Sequence, residues 1–275
     1  MGLYFAYQKR PPIFSFYKKR FVRLLIPYIL ICVPFYLWKF FYLGEGNLWL
    51  DLTQLSFPLD HMITTWYVPA MFVFYIVFPL AYIVLFNEKI KNHFIWLVCL
   101  SMIYLFGLLV FKNIFPTLYA NTEIALTRFI IFLVGTYCGK AVFDKKPLPL
   151  EWVALSGAVS IICVLVRETT NLSSLWIRLS YGVIAFFICS FAAYLFGFFK
   201  ENNPILIVLR VFGEHSLEVY LTHVLLYNMW KNTFDVRFLD SSGTLDYLIV
   251  VAAAILISVP IHFFVTKISK LLVGK

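Results

Sequence analysis

Long apolar runs are the feature that most constrains the fold of this chain. A membrane-spanning helix needs about 20 predominantly apolar residues, and eight stretches qualify or nearly qualify. They cover residues 21–43, 66–86, 93–112, 124–143, 150–166, 175–199, 213–231 and 245–266. Because the backbone inside lipid must satisfy its own hydrogen bonds, these runs are predicted to be helices rather than strands. The expected fold is all-α: a polytopic transmembrane helical bundle of about eight spans.

Composition excludes a water-soluble domain. Of the 275 residues, 62% are hydrophobic and 13% are charged, whereas a soluble domain carries roughly 25% charged residues. The sequence contains no internal repeat, low-complexity tract or soluble domain, so a single membrane domain is expected over residues 1–275.

The net charge of +9 is explained by membrane topology, and no nucleic-acid partner is expected. Lys and Arg gather in cytoplasmic loops of membrane proteins. If the N-terminal segment is cytoplasmic, sixteen of the 23 Lys and Arg residues fall on the cytoplasmic side. This bias predicts a multi-pass protein of a cell membrane, plasma or inner, with both termini in the cytoplasm, consistent with an even number of spans.

The cysteines do not indicate a metal site or a disulfide framework. They are odd in number, lie one per apolar run, and lack the Cys or Cys/His spacings that bind metals. We therefore expect buried thiols, no metal and no bound cofactor. The five are Cys32, Cys99, Cys138, Cys163 and Cys189.

A basic segment, FYKKRFVRLLIPY at residues 16–28, enters the first apolar run. Its cations are Lys18, Lys19, Arg20 and Arg23. On a helix Arg20, Arg23 and Pro27 share a face, and Pro27 removes one backbone hydrogen bond. The segment has two interpretations: a topology signal that also grips anionic lipid, or a binding site for phosphate groups.

The stretch DHMITTWYVPAMFVFYIVFPL, residues 60–80, lies at the predicted outer end of the second run. Trp66 and Tyr67 are typical of membrane-interface anchors. His61 is either a solvated loop residue or a contact for a substrate or proton.

Two arginines, Arg128 and Arg178, lie within the outer parts of apolar runs. Charges inside a membrane are costly and usually face a bundle interior or a wet cavity, although such side chains also snorkel outward. Glu123 precedes Arg128 by five residues, which is too far for a good helical pair.

The run over 213–231 is the most polar. Ser216, Tyr220, His223 and Tyr227 follow at i, i+4, i+7 and i+11, which predicts one polar stripe on a helix. Such groups either join neighbouring helices through hydrogen bonds or line a cavity. His262, near the end of the last run, is predicted to be interfacial.

Four segments together resemble a known family. In chain order they are KKRFVRLLIPYIL, TTWYVPAMFVFYIVFPL, RFIIFLVGTYCGK and EHSLEVYLTHVLL. Their order, spacing and helical context resemble the membrane acyltransferase-3 family, and in particular the polysaccharide O-acetyltransferases. The resemblance extends from Phe16 to about Val265.

The resemblance implies an enzyme that moves an acyl group, expected to be acetyl, from cytoplasmic acyl-CoA to a hydroxyl of an extracytoplasmic glycan or envelope polymer. Acyl-CoA would be a co-substrate, and lipid, donor and acceptor would be the partners. The basic segment would receive the donor, which makes Lys18, Lys19, Arg20 and Arg23 the acyl-CoA candidates. The candidates for a cavity or substrate contact are His61, Trp66, Tyr67, Arg128, Arg178, Ser216, Tyr220 and His223.

One departure limits what the resemblance implies. The first helix of the family carries an Arg and a His that are considered essential, and the sequence has no counterpart of that helix. The catalytic residue is therefore unknown, and His223 is expected only to support the cavity. The chain is expected to lack one or two N-terminal helices and to be a poor or inactive enzyme alone.

Two other functions remain open. Arg128, Arg178 and His223 would also suit a transporter or flippase, although the two halves show none of the internal symmetry that many transporters have. A non-catalytic partner in a polysaccharide-modification complex is the other alternative.

Overall fold

The computed structural model describes residues 2–61, 64–144, 150–170, 173–199, 203–233 and 243–273. Within these ranges the chain forms helices and no strands, as predicted. It divides into two compact units. The first comprises residues 1–13 and 70–206, and the second comprises residues 14–69 and 207–275. The single domain expected over 1–275 stays a prediction.

The first unit contains helix α1 and most of the central helices. Their bounds are α1 Gly2–Tyr7, α6 Tyr67–Leu85, α7 His93–Ile114, α8 Pro116–Phe143, α9 Leu150–Thr169 and α10 Ser174–Phe196. The first three residues of α6 belong to the second unit. A buried cluster of Leu85, Leu97 and Leu133 joins α6, α7 and α8. Asn92 caps α7, since its side chain accepts from the backbone amides of Phe94 and Ile95.

The second unit is built on one long interrupted helix and on the last part of the chain. The helix Ile13–Leu43 contains two π-helical segments, of which π1 interrupts it and π2 ends it. The elements are α2 Ile13–Pro27, π1 Tyr28–Cys32, α3 Val33–Trp38, π2 Lys39–Leu43, α4 Leu48–Leu52, α5 Ser56–Asp60, α11 Pro204–Glu214, α12 Ser216–Thr233 and α13 Thr244–Val273. Part of α11 belongs to the first unit.

Helices α12 and α13 run antiparallel and are joined by polar contacts near both ends. At one end Glu218 Oε1 lies 3.1 Å from His262 Nδ1. At the other end the Trp230 indole N–H donates to Asp246 Oδ1 at 3.0 Å. These contacts fix the register of the two helices, because sliding one along the other would leave buried Glu218 and Asp246 without these partners.

A buried polar network ties the long helix to the segments that follow it. The Tyr28 hydroxyl donates to the Leu52 carbonyl at 2.7 Å, and the Gln54 amide donates to the hydroxyls of Tyr28 and Tyr36 at 3.1 Å each. Thr65 donates to Gln54 Oε1 at 2.8 Å. Tyr28 opens the π segment that directly follows Pro27, so the interruption of the helix occurs where Pro27 predicted it.

The predicted number of spans needs one correction. Seven helices in the described part of the chain are long and apolar enough to cross a membrane, against about eight predicted. The run predicted over 213–231 does form a helix, α12, but its charged and polar residues exclude it from the seven. Three other helices are each eight residues longer than their predicted runs, because helical structure continues past the charged residues whose side chains reach the interface. These are Ile13–Leu43, Pro116–Phe143 and Thr244–Val273.

Orientation stays a prediction. The number of candidate spans is seven, which is odd, so the span count no longer supports the placement of both termini on one side. The distribution of Lys and Arg is the argument that remains for this orientation. Part of that bias falls outside the described residues: Lys145, Lys146, Lys200, Arg237 and Lys275.

The cysteines are all free, but they are not all buried. Cys32 and Cys138 are buried and Cys163 is half-buried, whereas Cys99 and Cys189 are exposed. The prediction of five buried thiols is therefore confirmed for Cys32 and Cys138, met only in part by Cys163, and wrong for the two that lie on the outer surfaces of α7 and α10. A thiol is apolar enough to face lipid.

Candidate functional site

Four helices of the second unit contribute to one polar pocket. They are the middle of α2, the end of α11, the start of α12 and the last part of α13. Two of them carry cations for a local reason. The start of α2 is the basic segment that precedes the apolar run, and Lys270 lies in the last turn of α13, where a cation is favoured by the helix dipole.

The pocket has a volume of about 400 Å³ and mixed charge. Its cations are Lys19, Arg23 and Lys270, and its carboxylates are Glu214, which is exposed, and Glu218, which is buried. The full lining is Lys19, Arg23, Glu214, Glu218, His262, Val265, Thr266, Ser269, Lys270 and Val273. Three cations from two helices give this pocket the chemistry to bind an anion such as a phosphate.

The four cations predicted to bind acyl-CoA do not all lie in the pocket. Lys19 and Arg23, one helical turn apart, line it. Arg20 is half-buried, and its guanidinium lies over the Phe16 ring at 5.8 Å. Lys18 is exposed and is not among the lining residues. The pocket therefore uses the i, i+4 pair Lys19 and Arg23 rather than the predicted face of Arg20 and Arg23.

A carboxylate, an imidazole and a hydroxyl form a connected row in this pocket. Glu218 is 3% exposed, and its Oε1 lies 3.1 Å from His262 Nδ1. Because a carboxylate only accepts hydrogen bonds, Nδ1 carries a proton, and in the neutral imidazole Nε2 then carries the lone pair. The hydroxyl Oγ1 of Thr266 lies 3.3 Å from Nε2. The row thus presents a base next to a hydroxyl, with the base held by a buried carboxylate.

Two further side chains bear on this row. The ring of His215 packs against that of His262, with centroids 4.0 Å apart, and its own Nδ1 lies 2.8 Å from the Val211 carbonyl. The hydroxyl oxygen of Ser269 is buried and has no hydrogen-bond partner among the described residues. An unpartnered buried hydroxyl that lines a pocket is available to a ligand.

A second, apolar cavity of about 210 Å³ lies further along α12 and α13 and is closed by π1 and α3, which continue the long helix beyond α2. It is lined by Leu30, Ile31, Pro34, Phe35, Thr222, Leu225, Leu226, Met229, Ile257 and Ile261. Thr222 follows Glu218 by four residues, and Ile261 directly precedes His262. The Thr222 hydroxyl is buried and has no hydrogen-bond partner among the described residues.

The predicted polar stripe of α12 divides between several environments. Ser216 is exposed and donates to the Gly213 carbonyl at 2.9 Å. Tyr220 packs against Tyr67 with ring centroids 5.2 Å apart, and against His223 at 5.6 Å. His223 Nδ1 lies 3.1 Å from the Val219 carbonyl. None of the four residues of the stripe, Ser216, Tyr220, His223 and Tyr227, lines either of the two cavities of this unit described above.

The outer segment is only partly connected to these helices. Trp66 and Tyr67 are half-buried and pack edge to face at 5.9 Å, and Tyr67 reaches α12 through Tyr220. His61 is exposed and ends α5 in the left-handed conformation, with φ of 56°. Its neighbours Met62 and Ile63 lie outside the described residues.

The two predicted intramembrane arginines meet in the first unit. Arg178 Nε donates to Glu123 Oε2 at 3.1 Å, and Glu123 Oε1 accepts from Tyr119 at 3.0 Å and from Ser174 at 2.7 Å. Arg128 Nη1 lies 3.5 Å from the Arg178 carbonyl. As expected from the spacing, Glu123 does not pair with Arg128; its partner is Arg178, which comes from another helix.

Sequence reasoning missed the central row of the pocket. The sequence patterns assign no role to Glu218, and they predict only an interfacial position for His262. A signal was present, since Ser258, His262, Thr266 and Ser269 follow at i, i+4, i+8 and i+11, the same kind of polar stripe that drew attention to α12.

Seven candidate spans and an all-helical fold define a multi-pass membrane protein. The sequence profile of the acyltransferase-3 family, which describes an acyltransferase domain, matches residues 2–263. Since this match covers nearly the whole chain, the protein belongs to that family. The chain matches none of the curated proteins and none of the solved structures with which it was compared.

Proposed function

We propose that this protein is a membrane O-acyltransferase whose acyl-CoA donor binds in the polar pocket of the second unit. The observation that carries the proposal is the meeting of Lys19, Arg23 and Lys270 with the pair Glu218 and His262 in one pocket. Membership of an acyltransferase family supports the reaction class. The donor, the acetyl group and the glycan or envelope-polymer acceptor are proposed from the resemblance to polysaccharide O-acetyltransferases.

The charges of the pocket suit the donor. CoA carries several phosphates, and the guanidinium of Arg23 and the ammonium groups of Lys19 and Lys270 would bind them through charge-assisted hydrogen bonds. The thioester would then lie beside His262. The apolar cavity that begins one turn beyond Glu218 is the space we assign to the acyl group.

The sequence has no counterpart of the family's first-helix His and therefore predicts a poor or inactive enzyme. The proposal replaces that prediction by assigning the base to His262. The reaction also needs a means of stabilising negative charge. In the proposed reaction His262 Nε2 accepts the proton of the attacking hydroxyl, and Glu218 stabilises the imidazolium that forms. The carbonyl oxygen becomes negative as the bond to the attacking oxygen forms. Ser269, whose hydroxyl has no partner within the described ranges, is available to donate to that oxygen.

The pocket in which the donor is proposed to bind would open to the cytoplasm. The start of α2 and the end of α13 line the same pocket, through Lys19 and Lys270. This meeting supports, independently of the number of spans, the prediction that both ends of the chain lie on one side. The excess of Lys and Arg supports the cytoplasm as that side.

The binding of CoA to the purified protein tests the donor site. Removing a cation that contacts a phosphate costs roughly 1.5–3 kcal/mol, so Arg23→Gln and Lys270→Gln should each raise the Kd for CoA by about tenfold or more. Lys267→Gln is the matched control, because Lys267 is an exposed cation of the same helical turn as Lys270 but does not line the pocket. Unchanged CoA affinity in Arg23→Gln and Lys270→Gln would refute the site.

A further inference from the structure

We infer that Thr266 is a nucleophile and that it carries the acyl group as a covalent ester between donor and acceptor. The inference rests on the proposed function, which supplies the thioester donor. Its basis is the row Glu218, His262 and Thr266: a hydroxyl 3.3 Å from Nε2 of an imidazole whose Nδ1 lies 3.1 Å from a buried carboxylate. A nucleophile next to a base that a third group orients is the arrangement that activates hydroxyl groups in covalent catalysis.

The hydroxyl of Thr266 has a different partner from the hydroxyls of four other threonines that lie within helices of this chain. Thr122, Thr127, Thr136 and Thr169 donate to the carbonyl four residues earlier, at 2.6 to 2.9 Å. This local bond is the usual way in which a threonine within a helix is satisfied. Thr266 instead meets the ring nitrogen of the residue four positions earlier, and it does so where the side chain lines an open pocket.

The chemistry of the first half-reaction is balanced by these groups. Thr266 Oγ1 attacks the carbonyl carbon of the thioester and gives its proton to His262 Nε2. The new C–O bond forms, the C–S bond breaks, and the CoA thiolate leaves with the proton from Nε2. In the second half-reaction, which requires that the acceptor hydroxyl reach this pocket through the membrane domain, that hydroxyl gives its proton to Nε2, its oxygen attacks the ester, and Thr266 Oγ1 leaves and recovers the proton.

With a covalent intermediate, the donor and the acceptor react at the same base one after the other. CoA leaves before the acceptor hydroxyl attacks, so the two substrates need not occupy the pocket of about 400 Å³ together. The acyl group remains fixed to α13, beside the apolar cavity that contains Ile257 and Ile261. The inference therefore predicts a double-displacement reaction.

The test is to incubate the purified full chain with radiolabelled acetyl-CoA in the absence of acceptor. We expect label on the protein, an acetyl ester located on Thr266 by mass spectrometry, and resistance of that ester to neutral hydroxylamine, which removes acetyl from thiols and imidazoles. Thr266→Val should abolish the label, while Thr266→Ser, which keeps a hydroxyl, should retain it on residue 266. His262→Gln should slow labelling by about 100-fold or more, which is the usual contribution of a general base.

The control variant is Thr169→Val. It makes the same change at an exposed helical threonine that bonds to a backbone carbonyl, so its labelling should equal that of the wild-type protein. If acetyl-CoA binds to the wild-type protein and no ester forms on Thr266, or if the label lies on another residue, the inference is wrong and the proposed function stands. If acetyl-CoA does not bind at all, both the proposed function and the inference fail.

Discussion

Two buried glutamates, Glu123 and Glu218, each hold a cationic or basic partner from another helix. Glu123 is 4% exposed and lies 3.1 Å from Arg178. Glu218 is 3% exposed and lies 3.1 Å from His262. Only the second pair lines a pocket described here. A buried carboxylate needs its partners because the cost of removing a charge from water is otherwise uncompensated. We therefore assign a structural role to Glu123 and a role in positioning His262 to Glu218.

The structural role of Glu123 is tested by Glu123→Gln. Breaking a buried ion pair by removing one partner costs roughly 3–5 kcal/mol. We expect the low end here, because 29% of the Arg178 side chain stays exposed and is screened. The thermal midpoint of the purified protein should fall clearly, and the affinity for CoA in the folded protein should not change.

Glu168→Gln is the matched control for that prediction. It removes the same charge from an ion pair of neighbouring residues, Arg167 and Glu168, whose side chains are 37% and 64% exposed. The midpoint of this variant should equal that of the wild-type protein. An equal midpoint in Glu123→Gln as well would show that the Arg178 pair does not stabilise the first unit.

At the scale of elements, two glycines set how closely α10 packs on its neighbours. A Cβ at Gly157 of α9 would lie 2.9 Å from the Phe187 ring, and one at Gly182 of α10 would lie 2.6 Å from Ile131. Small residues that allow helices to approach closely are the usual packing device inside membranes. Helix α10 is therefore joined to α8 and α9 by side chains that pack closely against glycines as well as by the Glu123 cluster.

The close approach at Gly157 predicts the effect of Gly157→Ala. The added methyl group must displace the Phe187 ring, at an overpacking cost of typically 1–3 kcal/mol, against a gain in helix propensity of about 0.5–1 kcal/mol. The thermal midpoint should fall. Gly107→Ala on α7 is the control, because nothing lies within 4 Å of its Cβ position, and its midpoint should stay the same or rise. Equal midpoints in the two variants would contradict the packing argument.

The elements could largely be predicted from the sequence, and their pairing could not. Apolar length alone indicates the seven spans, and Pro27 marks the interruption after α2. The contact between α12 and α13 depends on which polar residues of one helix face those of the other. The sequence shows a polar stripe on each helix, but it does not show that Glu218 faces His262. In the same way, the helical spacing predicted that Arg20 and Arg23 share the binding face, whereas Lys19 and Arg23 line the pocket.

At the scale of the whole molecule, the pocket and the predicted chemistry belong to the second unit. Its helices α2, α12 and α13 carry Lys19, Arg23 and Lys270 together with Glu218 and His262. The first unit holds the buried ion pair between Glu123 and Arg178. We therefore expect donor-binding variants to cluster in the second unit and variants that act only on stability to dominate the first.

Photoaffinity labelling tests the central claim most directly. The purified protein is irradiated with an acyl-CoA that carries a photoreactive group in its acyl chain, and the labelled residues are located by mass spectrometry with excess CoA as competitor. The account predicts CoA-competed label in the apolar cavity and beside it, on the α12 residues 222–229 and the α13 residues 257–266. CoA-competed label confined to helices of the first unit, such as α8 or α10, would contradict it.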